Sequence, residues 1–170
     1  MLKNFDDLKK TTSGSAVASN ERNDCFVKAA SAAFDIPYDQ AHKWVKDNFD
    51  RKDKQGTQSI PTVIGAYSKF KFEQFGQLSL FGNTSKTFYI KRLGVEPKQG
   101  GNLINPSYTH KKVAFTVKTF AQHHPKGVYI LLVYGHALTI KDGIIIDNAE
   151  FQADGYRRVV EVAYKVTIKY

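Results

Sequence analysis

Hydrophobic spacing changes from helical to strand-like along this chain of 170 residues. Apolar residues recur every three to four positions in segments 23–34 and 38–48, which is typical of amphipathic helices. They form an unbroken run from Val128 to Tyr134, typical of a central strand, and alternate with polar residues from Val160 to Ile168. Helices followed by an antiparallel sheet predict a single α+β domain of two layers.

Each N-terminal helix has a start signal and an apolar stripe. Asn23 or Asp24 can cap the first helix, and the second begins after Pro37. A third helix is predicted from Ser59, with Pro61 in its first turn. The apolar stripes consist of Val27, Ala30 and Phe34 in the first helix and of Ala41, Trp44, Val45 and Phe49 in the second.

The remaining segments are assigned from turn and capping residues. Residues 1–22 are polar and rich in small residues, so we expect an N-terminal arm, with the compact domain spanning 23–170. Residues 71–112 are glycine-rich and read as an irregular insert, with short strands at Phe70–Phe75 and Thr87–Arg92. A short helix capped by Thr116 is expected to end before Pro125.

Composition excludes several kinds of site. A single cysteine, Cys25, allows no internal disulfide and no multi-cysteine zinc site, and we expect neither a metal nor another cofactor. The formal charge of +9 comes with scattered lysines and no base-reading motif. It therefore predicts at most salt-sensitive, sequence-independent contact with nucleic acid, or contact with an acidic protein. No apolar run is long enough to cross a bilayer, so no membrane association is expected.

Cys25 lies in the first turn of the first predicted helix. A helix N-terminus favours the thiolate, which is the nucleophilic form of cysteine, and its backbone N–H groups can stabilise a developing oxyanion. A free cysteine is also a common core residue, so this signal alone does not decide between the two roles.

A hairpin predicted around Asp142-Gly143 supplies the partners of such a thiol. With a two-residue turn, Asp147 lies opposite Leu138 and is a diagonal, same-face neighbour of His136. One register shorter would place Asp147 directly opposite His136, again on the same face. A three-residue bulged loop would place Asn148 there instead. An acid beside an imidazole is the arrangement that orients a base to activate a thiol.

Residues 23–29, Asn-Asp-Cys-Phe-Val-Lys-Ala, resemble the nucleophile helix of papain-like cysteine peptidases. Segments 116–120 and 124–130, with Gly135-His136-Ala137, resemble a compact phage-encoded papain-like family in which an Asn-Asp-Cys helix opens the domain and a Gly-His strand closes the site. The resemblance covers most of 23–52, Gly56-Thr57 and 116–162, and leaves the middle uncovered. It implies a papain-like fold with helices packed on the sheet, Cys25 as nucleophile, His136 as base and Asp147 as orienting acid.

One departure concerns the oxyanion hole. Papain relatives usually carry a glutamine several residues before the cysteine, and this chain has none there; Asn20 or Asn23 could donate in its place. The long middle segment also exceeds the compact pattern.

The sequence thus predicts a cysteine peptidase or amidase acting on a protein or peptide, in the host cytoplasm or a virion and without a signal peptide. With an amine instead of water as the acceptor, the same site would be a transferase, and the sequence does not choose between the two acceptors. The alternative is a non-catalytic virion-structural or binding protein that keeps the fold. Of the other histidines, His42 is expected to face solvent, and a structural zinc site is not expected.

Overall fold

The computed structural model describes residues 2–4, 21–57, 69–72, 75–81, 85–91, 108–147 and 157–168. Within these ranges the helices are α1 (Cys25–Phe34), α2 (Tyr38–Phe49) and α3 (Val117–His123). The strands are β1 (Leu2–Asn4), β2 (Lys69–Phe72), β3 (Gly76–Phe81), β4 (Ser85–Lys91), β5 (Tyr108–Ala114), β6 (Val128–Val133), β7 (His136–Lys141), β8 (Ile144–Asp147) and β9 (Val162–Ile168).

The main sheet has seven strands in the order β1-β8-β7-β6-β9-β3-β2. All of its pairings are antiparallel except that of β1 with β8, which is parallel. Strands β4 and β5 form a separate antiparallel pair. The predicted α+β class, with N-terminal helices and a mainly antiparallel sheet, is therefore confirmed.

Helices cover both faces of the sheet, which corrects the expected two layers. On β6, Ile130 and Leu132 pack with α1 and α2, whereas Tyr129 and Leu131 pack with α3. The reason is visible in the unbroken apolar run of β6, because a strand without polar positions has two faces to bury. A third layer is needed to cover the second face.

Both N-terminal helices and the short third helix lie close to their predicted positions. The predicted apolar stripes of α1 and α2 are buried. Thr116 forms a reciprocal cap with Thr119: its Oγ1 accepts from the Thr119 N–H at 3.2 Å, and the Thr119 Oγ1 accepts from the Thr116 N–H at 2.8 Å. Helix α3 ends before Pro125, as expected.

The prediction that residues 71–112 are irregular is wrong for those parts of the segment in which the structure describes strands. The two predicted strands are displaced by a few residues, and β3 and β5 were not predicted. Strand β3 pairs with β9, far along the chain, so local spacing carries little information about it. At the start of β3, a Cβ on Gly76 would lie 2.1 Å from the Thr167 carbonyl oxygen, so this close strand approach requires glycine.

Parts of the predicted N-terminal arm belong to the folded domain. Leu2–Asn4 forms an edge strand beside β8, and Glu21 makes a buried ion pair with Arg51. Both interactions join segments distant in sequence, which the polar composition of residues 1–22 does not reveal. Residues 5–20 and the third helix predicted from Ser59 lie outside the described residues.

The search for membrane-spanning helices covered the described part of the chain, and it found no helix with the length and apolar character needed.

Candidate active site

The β7–β8 hairpin places His136 and Asp147 together. Asp142 and Gly143 form its two-residue turn, with φ of 50° and 74°, as a type I′ turn requires. The pairing of Thr139 with Ile146 continues to Leu138 opposite Asp147, so the predicted register is confirmed. The alternative three-residue loop is wrong, and Asn148, its orienting residue, lies outside the described residues.

The imidazole of His136 is held by a short hydrogen bond. Its Nε2 donates to Oδ1 of Asp147 at 2.6 Å, and both residues are buried, with 7% and 3% of their surfaces exposed. A charge-assisted bond of this length fixes the plane of the ring. Since Nε2 is taken by Asp147, Nδ1 is the ring nitrogen that remains for another partner.

Cys25 begins α1 and is partly exposed. Its side chain is close enough to His136 to help raise the pKa of that ring, and both residues line one cavity. Helix α1 is fastened to the strand of His136 because Oγ1 of Thr139 donates to the Ala29 carbonyl at 2.7 Å in the core. The predicted geometry, with His136 facing the N-terminal end of the Cys25 helix, is confirmed.

Burial and charge act in opposite directions on His136. Burial is the largest influence and lowers the pKa of His136, but hydrogen bonds and charge interactions with Asp147 and Cys25 outweigh it. Together they raise the pKa of His136 to about 9. The ring is therefore an imidazolium at neutral pH, and a cation beside a thiol favours the thiolate.

Proton binding by His136 predicts a specific pH dependence of stability. The pKa of His136 is about 9 in the folded chain and near the ordinary value of about 6.5 when unfolded, so the folded state binds the extra proton between these values. The resulting stabilisation is complete below about pH 6.5 and is lost as pH rises through about 9. Because the Cys25 thiol exchanges a proton with this ring, the measurement uses Cys25→Ala, in which His136 still pairs with Asp147. Urea unfolding of Cys25→Ala should show stability falling as pH rises above about 6.5, by up to about 1.4 kcal/mol per pH unit relative to the double variant Cys25→Ala with His136→Gln.

The control for this measurement is His123→Gln, because His123 is exposed at the end of α3. Added to Cys25→Ala, it should keep the slope of Cys25→Ala. Parallel pH profiles for Cys25→Ala and for Cys25→Ala with His136→Gln would contradict the proton binding described here.

Asp24 occupies the N-cap position of α1, but its side chain makes no capping hydrogen bond. Its Oδ2 instead accepts from the hydroxyl of Tyr38 at 2.7 Å. Burial and then the Asp24 carboxylate raise the pKa of Tyr38, so this hydroxyl stays protonated and donates. The capping role expected for Asp24 is therefore wrong, because a buried hydroxyl needs the same acceptor.

Of the two asparagines proposed for the oxyanion hole, the structure describes Asn23 and places its amide elsewhere. The Nδ2 of Asn23 donates to the Lys54 carbonyl at 3.2 Å, and Asn23 does not line the cavity at Cys25. Asn20 lies outside the described residues. The first backbone N–H groups of α1 remain as candidate donors, because helix N-termini lack intrahelical acceptors for them and Asp24 does not cap them.

A cavity of about 370 Å³ opens beside Cys25 and His136. This volume lies at the lower end of the range for small-ligand pockets. Its walls are mostly apolar, with Gly56 and Gly135 among the lining residues and one carboxylate, that of Glu161. Glu161 and Thr57 were not predicted as site residues, because the pairing of β6 with β9 and the path of the 51–57 loop bring them here.

The 51–57 loop is anchored by a buried ion pair. Oε2 of Glu21 accepts from Nη2 of Arg51 at 2.6 Å and from the Lys54 N–H at 3.1 Å. Burial raises the pKa of Glu21, but hydrogen bonds from Arg51, Lys54 and His42 outweigh it and hold that pKa below its usual range. Asn23 holds the same loop, so residues just before Cys25 position Gly56 and Thr57 at the cavity.

The prediction that His42 faces solvent is wrong. Its Nε2 lies 3.2 Å from Glu21 Oε1 and 3.2 Å from Arg51 Nη1, and only 12% of its side chain is exposed. Ligand atoms of Glu21, His42 and Asp53 lie within 4.8 Å of one another, which is a spacing that could hold a metal ion. Arg51 and Lys46 already pair with the two carboxylates, so we interpret the group as an ion-pair network.

No protein-family model, curated protein sequence or solved structure gives a significant match to this chain. The function of the site is therefore inferred from its own residues and geometry.

Proposed function

We propose that this protein is a papain-like cysteine hydrolase, a peptidase or amidase, with Cys25 as nucleophile, His136 as acid and base, and Asp147 as orienting residue. The observation that carries the proposal is one buried imidazole that bonds a carboxylate at 2.6 Å and interacts with the side chain of Cys25. Acyl-transfer sites on unrelated folds contain a nucleophile, a base and an orienting acid that are joined in this order by hydrogen bonds.

The reaction begins from the thiolate–imidazolium pair. The sulfur of Cys25 attacks the amide carbonyl carbon, a C–S bond forms, and the carbonyl oxygen takes the negative charge next to the first N–H groups of α1. His136 then gives its proton to the amide nitrogen, the C–N bond breaks, and the amine leaves. The product is a thioester on Cys25.

In the hydrolysis of the thioester, the same imidazole accepts a proton instead of donating one. Neutral His136 removes a proton from water, whose oxygen attacks the thioester carbonyl, and the C–S bond breaks to release the acid. The hydrogen bond to Asp147 keeps the ring in one plane through both steps and stabilises its charged form.

The surroundings of the pair support a site that is open to substrate. Cys25 is partly exposed and lines the cavity, whereas a structural cysteine is more often fully buried. A buried His–Asp pair is costly to desolvate, and its contribution to stability is small in comparison with well-packed apolar residues. Such a pair in contact with the only thiol of the chain favours catalysis over a packing role.

Hydrolysis should be visible as new peptide termini when a pool of denatured protein is incubated with the wild type and examined by mass spectrometry. Cys25→Ala should give none. Gly56→Leu should lower cleavage by about 10²-fold, because the added side chain occupies the cavity and displaces the substrate.

Gly56→Leu is informative because a Cβ at this position has no atom within 4 Å and the backbone φ is ordinary, so the fold is not strained. The variant should therefore keep the wild-type unfolding midpoint. If new termini appear equally with Cys25→Ala, or do not appear with the wild type, the result would favour a binding protein without hydrolase activity.

A further inference from the structure

The wall of the cavity contains one carboxylate that the reaction above does not use. Glu161 lines the cavity together with Cys25 and His136, and its backbone N–H donates to the Leu132 carbonyl at 2.9 Å at the start of β9. Among the residues that the structure describes, its carboxylate makes no hydrogen bond or ion pair. It is also not one of the groups that raise the pKa of His136.

Acidic side chains are outnumbered by basic ones on this protein. The chain has 25 lysines and arginines against 16 acidic residues, and the carboxylates of Glu21, Asp47 and Asp53 each pair with a basic side chain. A negative group in the cavity therefore lowers the positive potential there, although the protein as a whole has a net charge of +9. Opposite charge in a cleft is how proteins select charged ligands.

The shape of the cavity suits a long cationic side chain. Apolar residues Leu132, Val133 and Ala137 line it together with the catalytic pair and Glu161. Lysine and arginine have aliphatic stems that pack on apolar surface and carry the charge at the end. A stem along these walls would bring an ammonium or guanidinium group to the Glu161 carboxylate.

We propose that the cavity selects peptides with a lysine or arginine side chain close to the amide that is cleaved, and that Glu161 binds the cation. This specificity rests on the proposed hydrolase function. It names Glu161 as a specificity-determining residue and a basic peptide as the substrate class.

Because the chain has a single cysteine, the charge preference of the cavity can be tested without a known substrate. Two methanethiosulfonate reagents of similar size, one with a trimethylammonium group and one with a sulfonate, both transfer a thioethyl group to Cys25 as a disulfide and release methanesulfinate. The ratio of their rate constants, cation over anion, reports the charge that the cavity prefers. The overall charge of +9 would by itself favour the anionic reagent.

We expect the cationic reagent to react faster with the wild type. Glu161→Gln should lower the ratio about tenfold, and Glu161→Lys should lower it further, because both attraction of the cation and repulsion of the anion are lost. Asp47→Asn is the matched control, since Asp47 is an exposed carboxylate on α2 that does not line the cavity. It should leave the ratio unchanged.

The outcomes separate this proposal from the hydrolase proposal. Fast modification with a ratio that Glu161→Gln and Asp47→Asn change equally would overturn the cationic specificity and leave the catalytic pair standing. Modification of Cys25 by both reagents at the rate of an ordinary free thiol, with no effect of His136→Ala, would overturn both.

Discussion

Replacing Glu21 with glutamine should lower the free energy of unfolding by about 3–5 kcal/mol. The Arg51 side chain is fully buried, and only 5% of the Glu21 side chain is exposed. Glutamine cannot neutralise that cation, so the variant leaves a buried charge without its counter-ion. Urea unfolding at pH 7 measures the loss.

The exposed ion pair between Lys43 and Asp47 provides the control. Its atoms are also 2.6 Å apart, but the two side chains are 77% and 54% exposed. Asp47→Asn should therefore cost no more than about 0.5 kcal/mol, because solvent screens surface pairs. Equal losses for the two variants would show that burial of the Glu21–Arg51 pair does not determine its contribution.

Acid should remove the same stabilisation in the wild type. The pKa of Glu21 is lower in the folded chain than in the unfolded one, so its contribution is present above the unfolded value of about 4.5 and is lost as pH falls through the folded value. Glu21→Gln should lack this part of the acid sensitivity. The double replacement Glu21→Leu with Arg51→Met should recover much of the loss, since neither charge is then buried alone.

Several parts of the candidate site could be predicted from local sequence. Asp142-Gly143 is a strong type I′ signal, and the two-residue periodicity of strands then fixes which residues share a face with His136. The same counting gave Asp147 with a two-residue turn and Asn148 with a three-residue loop, and the structure has the two-residue turn. The start of α1 at Cys25 followed from the apolar spacing behind it.

The parts that failed depend on contacts between distant segments. Glu21 and Arg51 are 30 residues apart, and nothing in the polar stretch around Glu21 signals a buried partner. Asp24 has the right identity for a cap, but a tertiary contact with Tyr38 takes its carboxylate. Glu161 enters the cavity through the pairing of β9 with β6.

The catalytic account assigns His136 the task of stabilising the Cys25 thiolate. Replacing His136 with alanine removes the imidazolium next to the sulfur and leaves the helix N-terminus as the remaining influence. We expect the rate of Cys25 alkylation at pH 6 to fall by about tenfold or more, because a smaller share of the thiol reacts as the thiolate once the cation is removed. Asp147→Asn should lower the rate less, because it loosens the ring without removing it.

Removal of His136 should also lower hydrolysis by about 10²–10⁴-fold, the usual contribution of a positioned general acid and base. His123→Ala, at an exposed position outside the cavity, should change neither the alkylation rate nor hydrolysis. A loss of activity in both histidine variants would point to an effect on folding.

The rate of iodoacetamide alkylation of Cys25 between pH 5 and 9, in the folded wild type and in His136→Ala, tests the central claim most directly. Since the chain has one cysteine, intact mass reports that residue alone. The catalytic account predicts that the wild type is alkylated appreciably on the acidic side of neutrality and that His136→Ala is alkylated about tenfold or more slowly there. Equal rates for the two proteins below pH 7 would contradict it.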